Sequence, residues 1–152
     1  AGYGFDIAMG CDIRIMSDKA KLSAAFTKRG IVPESGGTWL LPRMLGWSKA
    51  AELIFTGRTL SAAESLEMGL VSSIHPAEEI AATAETIAAE IASNAPLAVQ
   101  AAKRMMRAGQ NEPFPQHVHH VYLQLNALMR TDDVKEGMQS FVEKRPPVFK
   151  GK

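Results

Sequence analysis

The run Gly30-Ile31-Val32-Pro33-Glu34-Ser35-Gly36-Gly37-Thr38-Trp39-Leu40-Leu41-Pro42-Arg43 constrains what this chain can fold into more than any other stretch. Pro33 fixes its own φ and biases Val32 toward extended backbone, whereas Gly36 and Gly37 open turn conformations closed to other residues and let a ligand approach the main chain. Glu34 is therefore carried on a shaped loop. Thr38 can cap or begin a helix through Trp39, Leu40 and Leu41, whose bulk is expected to bury that helix and keep water from the acid. An acid in a dry pocket is a candidate for proton transfer. A helix-leading turn with a surface glutamate accounts for the same spacing, and the residues alone leave both readings open.

The rest of the chain limits the setting of that loop. Its 152 residues, 46% of them hydrophobic, suit one globular domain with a sizeable core. The formal charge of +1, from 17 basic and 16 acidic residues, gives no bulk field for nucleic acid or an anionic membrane, so any anion must be bound locally. Cys11 is the single cysteine; it cannot form an internal disulfide and is read as a small buried thiol. No apolar run spans a bilayer and no basic-then-apolar segment opens the chain, so a cytoplasmic protein is expected, with an organelle matrix as the other setting. Ala1-Gly2-Tyr3-Gly4 begins in the middle of a motif without an initiator methionine, which reads as a fragment of a longer protein.

The first half is mixed. Gly2, Gly4 and Phe5 to Met9 predict a glycine turn leading into a short helix, whose free N–H groups can hold an anion or a polarised carbonyl oxygen. Asp6 lies on its first turn, where a negative charge favours the dipole. Cys11 to Met16 alternates Ile13 and Ile15 with polar neighbours, as in a strand, and Leu22 to Phe26 is a short buried strand or loop. Thr27-Lys28-Arg29 reads as a solvated corner. Trp47 to Phe55 has helical spacing and stops at Gly57, Ser61 with Glu64 forms a capping-box signature, and Leu70 to Ile74 reads as a strand.

The second half is helical. Ile80, Ala84, Ile87, Ala88 and Ile91 recur at intervals of three or four, and Asn94 is the expected cap of a helix running to about Arg107. Val118 to Leu128 and a helix capped by Thr131 or Asp132 follow, before an extended Pro146-Pro147-Val148-Phe149 tail. Met105 and Met106 are expected as core fillers. His117, His119 and His120 point in different directions on one helix, without a carboxylate or cysteine at zinc-site spacing, so no metal is expected. Gly2 and Gly4 lack the preceding strand and third glycine of a dinucleotide fold.

Taken in order, the glycine turn before Cys11-Asp12-Ile13-Arg14, the Gly30 to Arg43 run, Phe55-Thr56-Gly57-Arg58 with Ser61-Ala62-Ala63-Glu64, Met68-Gly69-Leu70-Val71, and Lys135-Glu136-Gly137-Met138 through Phe149 resemble the crotonase (enoyl-CoA hydratase/isomerase) family, in its C-terminal part. The resemblance implies an α/β fold: residues 1–76 as part of a β-β-α spiral catalytic core, then residues 77–152 as a C-terminal helical trimerisation region. It implies homotrimers or hexamers and an acyl-CoA substrate, with no metal or redox cofactor. It also implies an oxyanion hole for a thioester enolate, with the N–H of Tyr3 as one donor and the other before residue 1.

Hydratases of this family use two glutamates, and the matching positions here are Asp6 and Phe26. A phenylalanine cannot move protons to or from water. In related Δ3,Δ2-enoyl-CoA isomerases the base lies on the loop that matches Glu34. The resemblance therefore favours an isomerase in which Glu34 removes a proton from C2 of a 3-enoyl-CoA and the proton returns at C4. Asp6 either assists or braces its helix. Phe141 and Lys144 match positions that bind the adenine and phosphate region of CoA, and at a spacing of three they share a helix face. Hydratase or other crotonase chemistry, and a non-catalytic oligomerisation fragment, are the alternatives.

Overall fold

Residues 1–152 are described by a computed structural model. The chain divides into two compact units, Ala1–Ala84 and Glu85–Lys152. In the first, α1 (Tyr3–Gly10) follows the turn at Gly2. Two short strands come next, β1 (Ile15–Ser17) and β2 (Leu22–Ser23), then a single 3-10 turn, Thr27–Arg29. Helices α2 (Gly37–Leu45) and α3 (Trp47–Thr56) precede β3 (Thr59–Leu60), α4 (Ala62–Glu67) and β4 (Ser73–His75). β1 pairs in parallel with β4, Met16 opposite Ile74, and β2 pairs antiparallel with β3, Leu22 opposite Leu60.

The larger of two hydrophobic clusters organises this unit; Met16, Ala62 and Val71 form the smaller. Phe5 and Met9, one helical turn apart on α1, pack with Phe26, Leu41 of α2, Ala50, Leu53 and Ile54 of α3, Leu60 and Leu70. Burying each large side chain contributes roughly 1.5–3 kcal/mol. The local signals at α3 and α4 operate as read: Gly57 ends α3 in the left-handed conformation, and Ser61 and Glu64 make a reciprocal capping box. The Ser61 N–H donates to Glu64 Oε2 (2.8 Å), and Arg58 bridges Glu52 and Glu64.

Other expectations shift by a few residues. The strand expected from Cys11 is confined to Ile15–Ser17, because Cys11 to Ile13 bend away and Ile13 is exposed. Cys11 is itself exposed and not a buried thiol, its chain held instead by the Arg14 side chain, which donates to Leu70 O and to Cys11 O. Helix α2 is capped by Gly36 rather than Thr38, and it continues past Pro42 to Leu45.

The second unit carries α6 (Pro96–Gly109), α7 (Phe114–Leu128) and α8 (Asp132–Glu143); α5 (Ile80–Ala92) runs across the division. Ala95, not Asn94, caps α6; the Asn94 amide instead donates to Glu90 O at the end of α5 (2.8 Å). Thr131 caps α8 by accepting from the Val134 N–H. The tail folds back on that helix: Asp132 and Asp133 N–H donate to Lys152 O, and Lys150 and Gly151 N–H donate to the Asp133 carboxylate. Met106 is exposed rather than a core filler. No helix is long and apolar enough to cross a membrane.

The capping box makes stability depend on pH. The Ser61 backbone hydrogen bond, then the Ser61 hydroxyl and Arg58, hold the Glu64 carboxyl at about 2, below its ordinary 4.5. A depressed carboxyl contributes stability above its unfolded pKa and loses it as pH falls through the folded one. Urea unfolding between pH 5 and pH 2, on the order of the interval between those two values, is expected to show a shallower acid loss in Glu64→Gln than in the parent.

Candidate functional site

Helix α1 and the Gly30 to Arg43 run meet in the hydrophobic core and through one polar side chain. Phe5 and Asp6 N–H both donate to Gly2 O, while the Tyr3 N–H, in the first helical turn, has no acceptor within the chain. Three residues on, Asp6 points inward and is 2% exposed. Its Oδ2 accepts from the Ser35 N–H (3.2 Å) and the Gly37 N–H (3.4 Å), and its Oδ1 has no hydrogen-bond partner. Burial pushes the Asp6 carboxyl above its ordinary 3.8, the Gly37 and Ser35 hydrogen bonds oppose that, and the charge of Glu34 adds to it.

Those two N–H groups belong to a tight turn. Pro33 is fully buried, and Gly36 takes φ +108°, a conformation that favours glycine. Gly37 is required for a different reason: a Cβ there would overlap Asp6 Oδ1 and lie 2.9 Å from Pro33 Cβ. Glu34 projects from the turn and is exposed, not held in a dry pocket. It lines a concavity of about 880 Å³ with Ile31, Val32, Pro42, Trp47, Ile54 and Phe55 among its walls and Thr27 and Thr38 as further polar groups.

The apolar wall differs from the expected one. Trp39 is 41% exposed and stacks under the Arg43 guanidinium, 3.9 Å from the ring centroid, away from the lining of the concavity. Trp47, Ala50, Ala51, Ile54 and Phe55 line it instead. Their i, i+3, i+4, i+7, i+8 spacing was visible in the sequence as a helix stripe, but the stripe has two fates: Ala50 and Ile54 are buried, whereas Trp47 and Phe55 stand exposed at the rim.

Phe26 is 3% exposed within the core. Phe141 is 84% exposed near the end of α8, but Lys144 falls beyond the helix as its left-handed C-cap, φ +54°. The shared helix face expected of that pair is therefore broken by the change in backbone direction. The Arg145 guanidinium is bidentate to Glu136 (2.6 and 2.9 Å). Glu112, which the spacing argument passed over, lies within hydrogen-bond distance of both His117 Nδ1 (3.1 Å) and His120 Nδ1 (2.9 Å). No group of three or more His, Cys, Asp or Glu side chains is placed to hold a metal ion.

The model of the family described as enoyl-CoA hydratase/isomerase matches residues 1–152. The chain belongs to that family. It is 37% identical over 150 residues to the (E)-benzylidenesuccinyl-CoA hydratase of Thauera aromatica, covering 99% of this chain and 59% of the relative. It is 39% identical over 151 residues to the "Probable enoyl-CoA hydratase, mitochondrial" of Dictyostelium discoideum, covering 99% and 54%. An enoyl-CoA hydratase crystal structure from Bacillus anthracis superposes with a TM-score of 0.97 at 38% identity, covering 99% of this chain and 58% of that one. The chain spans somewhat more than half the length of these relatives. The two short sheets and their helices thus form part of the crotonase spiral, followed by its helical region.

Within this crotonase segment, Gly37 leaves no room for a side chain between the turn and Asp6 of α1. Gly37→Ala is expected to cost about 1–3 kcal/mol, as overpacking does when it displaces buried atoms. Denaturant unfolding measures that cost, and an unchanged midpoint would mean that Asp6 and Pro33 yield freely.

Proposed function

We propose that this segment supplies the base of an acyl-CoA enzyme, an enoyl-CoA isomerase in which Glu34 moves the proton. The reading is supported by one observation above the others: Glu34 is the carboxylate open to the apolar concavity, while Asp6 is buried and engaged and Phe26 lies in the core. Glu34 removes a proton from C2 of a 3-enoyl-CoA; the electron pair delocalises into the thioester as a dienolate, and the proton returns at C4. The Tyr3 N–H donates to the thioester oxygen, where the negative charge develops. Its freedom from any acceptor in the chain supports that role. No metal or redox cofactor enters this scheme, and the acyl-CoA is the substrate.

Hydration of a 2-enoyl-CoA is the second reading, favoured by the hydratase names of the Thauera aromatica and Dictyostelium discoideum relatives. It requires a second group to handle water, and Phe26 cannot provide one.

We further propose residues 1–76 as spiral core and residues 77–152 as a region that assembles homotrimers or hexamers. Support comes from its poorly buried apolar side chains: Phe114, Tyr122, Leu123, Met138, Phe141 and Val142 are exposed, and Ala101 is the only buried hydrophobic residue of the second unit. Phe141 and Lys144 contact CoA in this reading.

The intact protein is expected to isomerise 3-enoyl-CoA, and Glu34→Gln to lower kcat by roughly 10²–10⁴-fold, the usual contribution of a positioned base. Undiminished isomerisation in that variant would remove Glu34 from the mechanism. Hydration of 2-enoyl-CoA without isomerisation would favour the second reading, and an intact trimer without CoA affinity would make the protein non-catalytic.

A further inference from the structure

We propose that Asp6 is a positioning residue: its carboxylate acts as a cap in trans on the turn that carries Glu34, and exchanges no proton with substrate. The inference rests on Glu34 being the base.

Helix α2 begins without a side-chain cap of its own, because Gly36 has no side chain to accept from the first N–H groups. Asp6 Oδ2 accepts from Gly37, the first residue of α2, and from Ser35 just before it. The two donors lie on either side of Gly36 and follow Glu34 directly, so one oxygen fixes the backbone from which the base projects. The negative charge also meets the positive end of the α2 dipole.

The same carboxylate is closed to a ligand. Asp6 is 2% exposed, and the Gly37 backbone packs so closely on Oδ1 that not even a methyl group fits between them. The longer side chain of glutamate would have to displace that backbone. Aspartate is thus the acid whose length suits the gap.

The restraint also reaches the other half of the site. Asp6 follows Tyr3 by three residues on α1, so both lie on the same helix face, one turn apart. Through Asp6 the helix bearing the Tyr3 N–H is tied to the turn bearing Glu34. A displacement of about 1 Å in such a restraint can cost on the order of 10²-fold in rate without altering how the rest of a substrate is held.

Asp6→Asn and Asp6→Leu, made in the intact protein and assayed for 3-enoyl-CoA isomerisation beside Glu34→Gln, test this. Asparagine retains an oxygen able to accept from Ser35 and Gly37 but has no ionisable proton, so kcat is expected to stay within about threefold of the parent with an unchanged pH profile. Leucine retains bulk and loses the acceptor, so kcat is expected to fall by on the order of 10²-fold with KM nearly unchanged. Thermal unfolding establishes that each variant folds, and Asp6→Ala replaces the leucine variant should that one not fold. A loss in Asp6→Asn as deep as that in Glu34→Gln would make Asp6 a proton-transfer group and overturn the proposal. Parent-like kcat in Asp6→Leu would overturn it too, by showing that the turn holds without a cap. Full activity in Glu34→Gln sinks the base assignment whatever the Asp6 variants do, whereas an inactive Glu34→Gln beside a fully active Asp6→Leu sinks this inference alone.

Discussion

The buried contact between Asp6 and the Ser35 and Gly37 N–H groups is the constraint on which the rest of the first unit depends. Removing a carboxylate from water costs free energy that only hydrogen bonds or opposite charge offset. Asp6 has two N–H donors on one oxygen and none on the other, so its environment leaves little slack. The absence of a side chain at Gly37 completes the fit. Phe5, next to Asp6, and Leu41, one turn into α2, carry the same junction into the hydrophobic core, so polar and apolar contacts hold the two helices together.

Helix α3 shows how one stripe serves two purposes. Ala50, Leu53 and Ile54 are buried in the core, while Trp47 and Phe55 extend the apolar surface to the rim of the concavity beside Glu34. The second unit differs in kind. Its order comes from caps and from charged groups that accept main-chain hydrogen bonds, such as Asp133 with Lys150 and Gly151, and Glu136 with Val148. Large apolar side chains remain exposed along α7 and α8.

Much of this fold was legible in the chain. The capping box at Ser61 and Glu64, the glycine stop at Gly57 and the Thr131 cap depend on residues within a few positions of one another, and they appear where the local pattern puts them. The strands were less legible. β1 is held by a partner more than fifty residues away, and alternation between Ile13 and Ile15 carried no information about which end of the run would pair. Trp39 and Trp47 show the same limit: both are large and apolar in sequence, yet one stacks under an arginine and the other walls a concavity. Lys144 departs for a local reason, since its left-handed backbone ends α8 one residue before the helical spacing could bring it onto the face of Phe141.

By itself the sequence determined the helical elements, the Gly57 stop and the Ser61 and Thr131 caps, the acid on a proline-glycine turn, and the family, because these are properties of neighbouring residues or of motifs in order. Tertiary structure alone decided which acid is buried and which is open. Asp6 and Glu34 are both carboxylates two residues from a glycine, and nothing local separates them. The difference arises because α1 brings Asp6 against two main-chain donors from a segment some thirty residues away, which leaves Glu34 facing the concavity. A carboxylate's environment is set by the groups that surround it in space, and hydration and hydrogen bonding respond to those groups whatever their distance along the chain.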